Sequence, residues 1–65
     1  MDINQELKKR AKDHRLEMLQ LKFFELEMDR VALIANGDTE GAGAISKRME
    51  AVEKAYNAVE AIPTD

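Results

Sequence analysis

The chain has 65 residues, a formal net charge of −3, 45% apolar residues and no cysteine. A chain this short forms one small domain, and domains of this size are commonly stabilised by a disulfide, a metal or a second subunit. The absence of cysteine excludes disulfides and thiolate zinc sites. A charged N-terminus and the lack of an apolar run near ~20 residues predict no signal peptide and no membrane partner. We therefore expect a cytoplasmic protein, or part of a virion if a phage encodes the chain.

The first predicted helix runs from about residue 3 to residue 35 and is apolar on two opposite sides. One stripe consists of Leu16, Leu19, Phe23, Leu26 and Leu33. The other stripe, about half a turn away at ~100° per residue, consists of Met18, Leu21, Phe24, Met28, Val31 and Ala35. Because one partner helix covers one side, the pattern predicts that another subunit or another protein covers the other.

Basic residues are concentrated at the start of this helix. Residues 1–15 hold five basic and three acidic side chains, a net charge of +2, whereas the remainder holds five basic and ten acidic side chains, a net charge of −5. Lys8, Lys12 and Arg15 share one helical face, and such a cluster is able to contact phosphates. The alternative is a solvated face, or one attracted to the acidic body of a neighbouring subunit.

His14 is the only histidine of the chain. One histidine is not enough for a metal site built from histidines or for a catalytic nucleophile with a histidine base. No other set of residues in the sequence indicates a catalytic reaction. In helical projection His14 falls beside Ala11, Met18 and Leu21, which favours a place in an interface. We therefore expect no enzymatic activity, no cofactor and no small-molecule ligand.

The helix is predicted to end at Asn36-Gly37, since either residue adopts the left-handed conformation that closes a helix. After a turn at 36–38, Asp38 or Thr39 supplies a capping oxygen for a second helix, which begins at about residue 39 or 44 and ends at about residue 61, before Pro63. Its apolar seam, with steps of three and four, consists of Ile45, Met49, Val52, Tyr56 and Val59. The short connection predicts antiparallel neighbours.

The sequence therefore predicts an all-α fold, in which residues 1–65 form a single antiparallel helical hairpin that assembles into a four-helix bundle or docks in a larger complex. We expect the partner-binding surface left over after hairpin closure to be Leu19, Phe23, Leu26, Leu33 and Ile34. Which stripe faces the second helix stays open at this point. If this assignment holds, Phe23→Glu or Leu26→Glu separates the assembly and leaves helicity mostly intact; if the monomer unfolds instead, the stripe is internal core.

The two predicted helices differ in length, so residues 2–12 extend beyond the end of the second helix. Ile3, Leu7 and Ala11 continue the Met18 and Leu21 stripe into this overhang. An apolar continuation on an unpaired segment suggests a partner helix there, most simply from a second copy of the chain.

These features favour a non-enzymatic structural or adaptor module that acts through helix packing, either as a homo-oligomer or as a small subunit of a larger assembly such as a phage particle. In length and helix count, the chain resembles the small plasmid RNA-binding regulators of the Rop type. The resemblance implies the alternative function, a small dimeric nucleic-acid-binding regulator, for which Lys8, Lys12 and Arg15 are the candidate phosphate contacts. This alternative predicts a salt-dependent affinity that is lost on charge reversal at the three positions.

Overall fold

The computed structural model describes residues 1–64 and shows two α-helices packed against each other, α1 (Gln5–Ala35) and α2 (Thr39–Glu60). The protein is a rod of 51 × 15 × 14 Å. Its radius of gyration is 15.5 Å, compared with about 11 Å expected for a compact chain of this length. The predicted all-helical hairpin is confirmed, whereas the structure shows one chain and no bundle. Asp65 of the predicted domain lies outside the described residues.

α1 begins at Gln5, two residues later than expected, because Asn4 caps it. The Asn4 side-chain oxygen accepts hydrogen bonds from the backbone N–H groups of Glu6, at 2.7 Å, and Leu7, at 3.4 Å. These donors have no partner within the helix, so a capping oxygen stabilises this end by about 0.5–2 kcal/mol.

The turn between the helices satisfies the backbone groups of both helix ends. Gly37 has a φ of +76°. The backbone N–H of Asp38 donates to the Leu33 carbonyl at 2.9 Å and that of Gly37 donates to the Ile34 carbonyl at 3.0 Å, which together form a Schellman motif. The Asp38 carboxylate then accepts from the Gly41 N–H at 2.8 Å and caps α2. The three-residue connection therefore closes one helix and opens the next.

Two glycines of this region are expected to respond in opposite directions to the same substitution. Gly37→Ala places a side chain in the left-handed region and should lower the free energy of unfolding by about 1–2 kcal/mol. Gly43 lies within α2, and a Cβ there would meet nothing within 4 Å. Gly43→Ala should therefore raise the free energy of unfolding by about 0.5–1 kcal/mol. Urea unfolding followed by circular dichroism measures both changes, and a shift of the same sign in both variants would contradict this account of the turn.

The interior of the hairpin follows a heptad pattern on both helices. On α1 the buried or half-buried side chains form a row whose residue numbers increase alternately by four and three: Lys12, Leu16, Leu19, Phe23, Leu26, Arg30 and Leu33. Glu27 is also half-buried and lies beside this row. On α2 the corresponding row is Ala42, Ile45, Met49, Val52, Tyr56 and Val59. This is the spacing of a coiled-coil seam. Leu26 at 1% exposure and Ala42 at 6% are the two buried side chains among residues 1–64.

This seam reverses the expected roles of the two apolar stripes of α1. Leu26 is buried, and Leu19, Phe23 and Leu33 are half-buried against α2, so these four residues do not form a surface left over after hairpin closure. Ile34, the fifth residue of that expected surface, is 51% exposed. Both rows of α1 keep heptad spacing. Lys12 and Arg30 lie toward the two ends of the inner row, whereas His14 and Glu25 interrupt the opposite row within its length.

The far end of the hairpin is closed by Lys12. Its ammonium group donates to the carbonyls of Glu60, at 2.7 Å, and Ile62, at 2.8 Å. Carbonyls at a helix C-terminus lack partners within the helix, and a cation there also interacts favourably with the helix dipole. Residues 5–11 of α1 extend beyond this point, and the tail at 61–64 continues along them. The overhang expected from the helix lengths is therefore present and partly accompanied by the tail.

A candidate helix-docking face

The side of α1 that faces away from α2 carries a row of exposed apolar side chains, which Ile3 continues just before the helix. At the overhang, this row also borders Val59 and the tail. We call it the outer face and define it by Ile3, Leu7, Met18, Leu21, Phe24, Met28 and Val31. Each of these side chains is between 45% and 59% exposed. Scattered apolar side chains are normal on a protein surface, but a contiguous row marks an interaction site. The outer face is therefore the candidate functional site.

The outward side of α2 shows that this exposure is specific to α1. Its exposed residues there are mostly charged or polar: Lys47, Glu50, Glu53, Lys54, Asn57 and Glu60. The hairpin is thus asymmetric, with a solvated helix on one side and an apolar helix surface on the other.

The chemistry of the outer face suits packing against another helix. Met18 and Met28 have flexible, polarizable side chains that adapt to an irregular partner surface, and Phe24 adds a large apolar area. His14 and Glu25, both exposed, lie among these residues. An apolar centre with a few polar groups is the usual composition of a protein–protein interface.

The three predicted phosphate contacts lie at one place in the structure. Lys8, Lys12 and Arg15 border a single open groove of about 750 Å³ at the overhang. The groove is otherwise lined by Ile3, Leu7, Ala11, Val59, Ile62, Pro63 and Thr64. Lys12 already donates two hydrogen bonds to backbone carbonyls there, so its ammonium group has a structural role that the sequence reasoning missed. Its place in the heptad row, four residues before Leu16, is the signal that identifies it.

A second groove, of about 360 Å³, lies along the seam between the helices near Leu19 and Val52. The Gln20 side-chain amide donates to the Tyr56 hydroxyl across it at 3.1 Å. This hydrogen bond ties the two helices together beside the apolar seam. Within residues 1–64, no three His, Asp or Glu side chains cluster in a way that would hold a metal ion.

Arg30 occupies a heptad position of the seam, and the sequence reasoning assigned it no role. It is half-buried, and its Nε atom is buried without a hydrogen-bond partner. Lys12 and Arg30 thus place long basic side chains toward the two ends of an otherwise apolar row. Their aliphatic stems are able to pack against neighbouring apolar groups while the charged ends reach the surface.

Comparison with known proteins gave no match to a protein-family model, to a curated protein or to a solved structure. Neither helix in residues 1–64 has the combined length and apolar character needed to cross a membrane.

Proposed function

We propose that this protein is a non-enzymatic assembly module that binds other helices through the outer face of α1, as a homo-oligomer or as a small subunit of a larger complex. The observation that supports the proposal is the row of seven large apolar side chains, each about half exposed, on the one side of α1 that α2 leaves open. The tail at 61–64 borders the Ile3 and Leu7 end of this row. Among the described residues, Met18, Leu21, Phe24, Met28 and Val31 are about half exposed.

The size of the outer face is in the range needed for association. Full burial of a large apolar side chain is worth about 1.5–3 kcal/mol, so covering the exposed half of each contributes about 1 kcal/mol. Seven such side chains contribute several kcal/mol, which is comparable with the about 4–15 kcal/mol that association costs in lost freedom of motion. Association through this face should therefore depend on protein concentration in the accessible range.

The small interior of the hairpin also supports a module that is completed by a partner. Leu26 and Ala42 are the two buried side chains among the described residues. A two-helix layer of this size has little core to offset the entropy of ordering. Binding of a partner to the folded state would stabilise the hairpin by mass action.

The position of the outer face also specifies the kind of assembly that we propose. In a four-helix bundle of the Rop type, both helices of each hairpin contribute to one shared core. Here the open apolar face lies on the far side of α1 from α2, so α1 would be sandwiched between α2 and the partner. The proposed assembly is thus a layered arrangement with α1 in its interior.

Absolute molecular mass, measured by light scattering over a range of concentrations, tests this proposal. We expect the wild-type chain to exceed its monomer mass of 7.4 kDa as the concentration rises. Met18→Gln/Met28→Gln keeps side-chain shape but replaces apolar groups with amides, and it should shift the protein toward monomer with unchanged helicity. The matched control, Lys47→Gln/Lys54→Gln on the outward side of α2, should assemble as the wild type does.

Loss of helicity in the Met18→Gln/Met28→Gln variant, at a concentration at which the wild-type monomer keeps its helicity, would argue against the proposal, since the outer face would then belong to the folding of the monomer. A wild-type chain that stayed at its monomer mass at every concentration would contradict self-assembly. Binding to a different protein would then be the form of the proposal that remains.

The alternative, nucleic-acid binding through Lys8, Lys12 and Arg15, stays a prediction. In its favour, the three side chains border one groove. Against it, Lys12 is engaged with the end of α2, which leaves two basic side chains at the site of a chain whose net charge is −3. Nucleic-acid-binding domains are usually basic overall.

A further inference from the structure

We propose that the partner on the outer face is a second copy of this chain, with α1 packed antiparallel against α1 of the other copy in one specific register. This inference rests on the proposed role of the outer face as an interface. It adds the identity of the partner, the direction of the helices and the residues that meet.

A second heptad row runs along the exposed side of α1. Its members, all exposed, step alternately by four and three: Leu7, Ala11, His14, Met18, Leu21, Glu25, Met28, Ala32 and Ala35. On a heptad wheel, the centre of this row lies about 150° around the helix from the seam with α2. A helix packed on this row would therefore meet α1 on the side away from α2 from His14 onward. At the overhang, Leu7 and Ala11 also border the groove that Val59 and the tail line.

Two polar residues interrupt this row, and they determine the register. An antiparallel pair whose two-fold axis crosses α1 between Leu19 and Gln20 places Met18 against Leu21 of the second copy. The same register places His14 against Glu25 of the second copy, twice per dimer. Two further layers pair apolar with apolar, Leu7 with Ala32 and Ala11 with Met28, and Ala35 falls opposite Asn4 at the N-terminal cap. Every polar group in the row thus meets a polar group of complementary hydrogen-bonding character.

Other arrangements of the same row lose this match. Sliding the second copy by one heptad places Glu25 against Leu7 or against Leu21, which brings a carboxylate against an apolar side chain. A symmetric parallel pair places His14 against His14 and Glu25 against Glu25. Two carboxylates that face each other destabilise an interface.

The neighbouring row that would use Phe24 and Val31 as seam residues is a poorer alternative. In the antiparallel register centred on Leu19, Arg10 faces Met28 of the second copy and Glu17 faces Leu21. Each of these contacts places a charged side chain against an apolar one, and each occurs twice in the symmetric dimer. Phe24 and Val31 instead flank the row that we propose and add apolar area along its edge.

The distribution of charge along α1 agrees with the antiparallel direction. Residues 1–15 carry a net charge of +2, and residues 16–35, with two basic and four acidic side chains, carry −2. Antiparallel packing places the basic part of one helix beside the acidic part of the other. Beside the proposed row, Lys8 faces Asp29 of the second copy, which is favourable, and Arg15 faces Lys22, which is unfavourable. These two contacts offset each other, so the residues of the row itself determine the register.

Cysteine cross-linking tests the direction and the register, because the chain has no cysteine of its own. Leu7→Cys and Ala32→Cys chains, mixed and oxidised with diamide, should form a disulfide-linked heterodimer. Neither variant alone should cross-link, because Leu7 of one copy lies about 37 Å along the helix axis from Leu7 of the other, at about 1.5 Å per residue. A disulfide needs Cα atoms within about 7 Å.

A charge exchange tests the contact between His14 and Glu25. His14→Glu places two carboxylates together and Glu25→Lys places two basic groups together, so each variant should self-associate about tenfold more weakly. A 1:1 mixture of the two variants should recover the wild-type affinity, because one contact in the mixed dimer then joins a carboxylate to an ammonium group and the other joins His14 to Glu25 as in the wild type. Both variants change exposed positions, so circular dichroism should show unchanged helicity.

Each remaining result overturns the inference. Efficient cross-linking of Leu7→Cys alone would show a parallel pair. A wild-type dimer by mass with no cross-link in any mixture would show a different register, and the proposed function of the outer face would still stand. A chain that stayed monomeric would remove the second copy as the partner. No recovery in the mixed charge variants would show that His14 and Glu25 do not meet.

Discussion

Leu26→Glu is expected to unfold the hairpin, with loss of most of the helical circular dichroism signal at 25 °C. Leu26 is 1% exposed at the centre of the seam between α1 and α2. An unpaired carboxylate in such a place costs several kcal/mol, and a chain of this length is stable by about 3–10 kcal/mol in total. One substitution is therefore enough to remove most or all of the stability.

The control is the same substitution on the opposite side of the same helix. Leu21 is 50% exposed, so Leu21→Glu should keep the helicity of the wild type and should weaken association through the outer face. A Leu26→Glu chain that kept its helicity and its unfolding temperature would contradict the placement of the seam. This prediction reverses the expectation from sequence, by which Leu26→Glu would separate an assembly and leave the hairpin intact.

Ala42→Leu is expected to lower the free energy of unfolding by about 1–3 kcal/mol through overpacking. Ala42 is 6% exposed in the first turn of α2, where the two helices leave the turn close together. A larger side chain at this position must push α2 away from α1 or adopt a strained rotamer. In a domain of this size, each kcal/mol corresponds to about 4–8 °C in the unfolding temperature.

Ala44→Leu supplies the matched comparison, because Ala44 is exposed two residues further along the same helix. This variant should unfold at the temperature of the wild type to within about 2 °C, since surface substitutions usually change stability by less than about 0.5 kcal/mol. All three proteins need the same concentration, because association raises the unfolding temperature by mass action. Equal unfolding temperatures for Ala42→Leu and Ala44→Leu would show that the helices leave room beside Ala42.

The turn is the part of the fold that could be predicted from the sequence with the most detail. The sequence predicts that Asn36-Gly37 ends the first helix and that Asp38 or Thr39 caps the second. In the structure Gly37 has a positive φ, and the Asp38 carboxylate accepts from the Gly41 N–H. These interactions join residues within five positions of one another, so local sequence contains the information that determines them.

The choice between the two stripes of α1 could not be predicted in the same way. Both stripes carry leucine, phenylalanine or methionine at helical spacing. The inner row extends beyond Leu16, because Lys12 occupies the preceding heptad position, and Arg30 fills the heptad position between Leu26 and Leu33. A basic residue counts against burial in a sequence pattern, whereas in the folded chain the Lys12 ammonium group lies against the carbonyls of Glu60 and Ile62.

The sequence by itself determined two helices, the turn between them and the presence of two apolar sides on the first. The periodicity of apolar residues, the capping side chains and the glycine with a positive φ all depend on residues close together along the chain, so they can be predicted from the sequence. The tertiary structure alone decided that the stripe with Leu26 is internal and that the stripe with Leu21 is open. The rotation of α1 about its own axis depends on how its side chains mesh with those of α2, and this fit is a property of the two surfaces together.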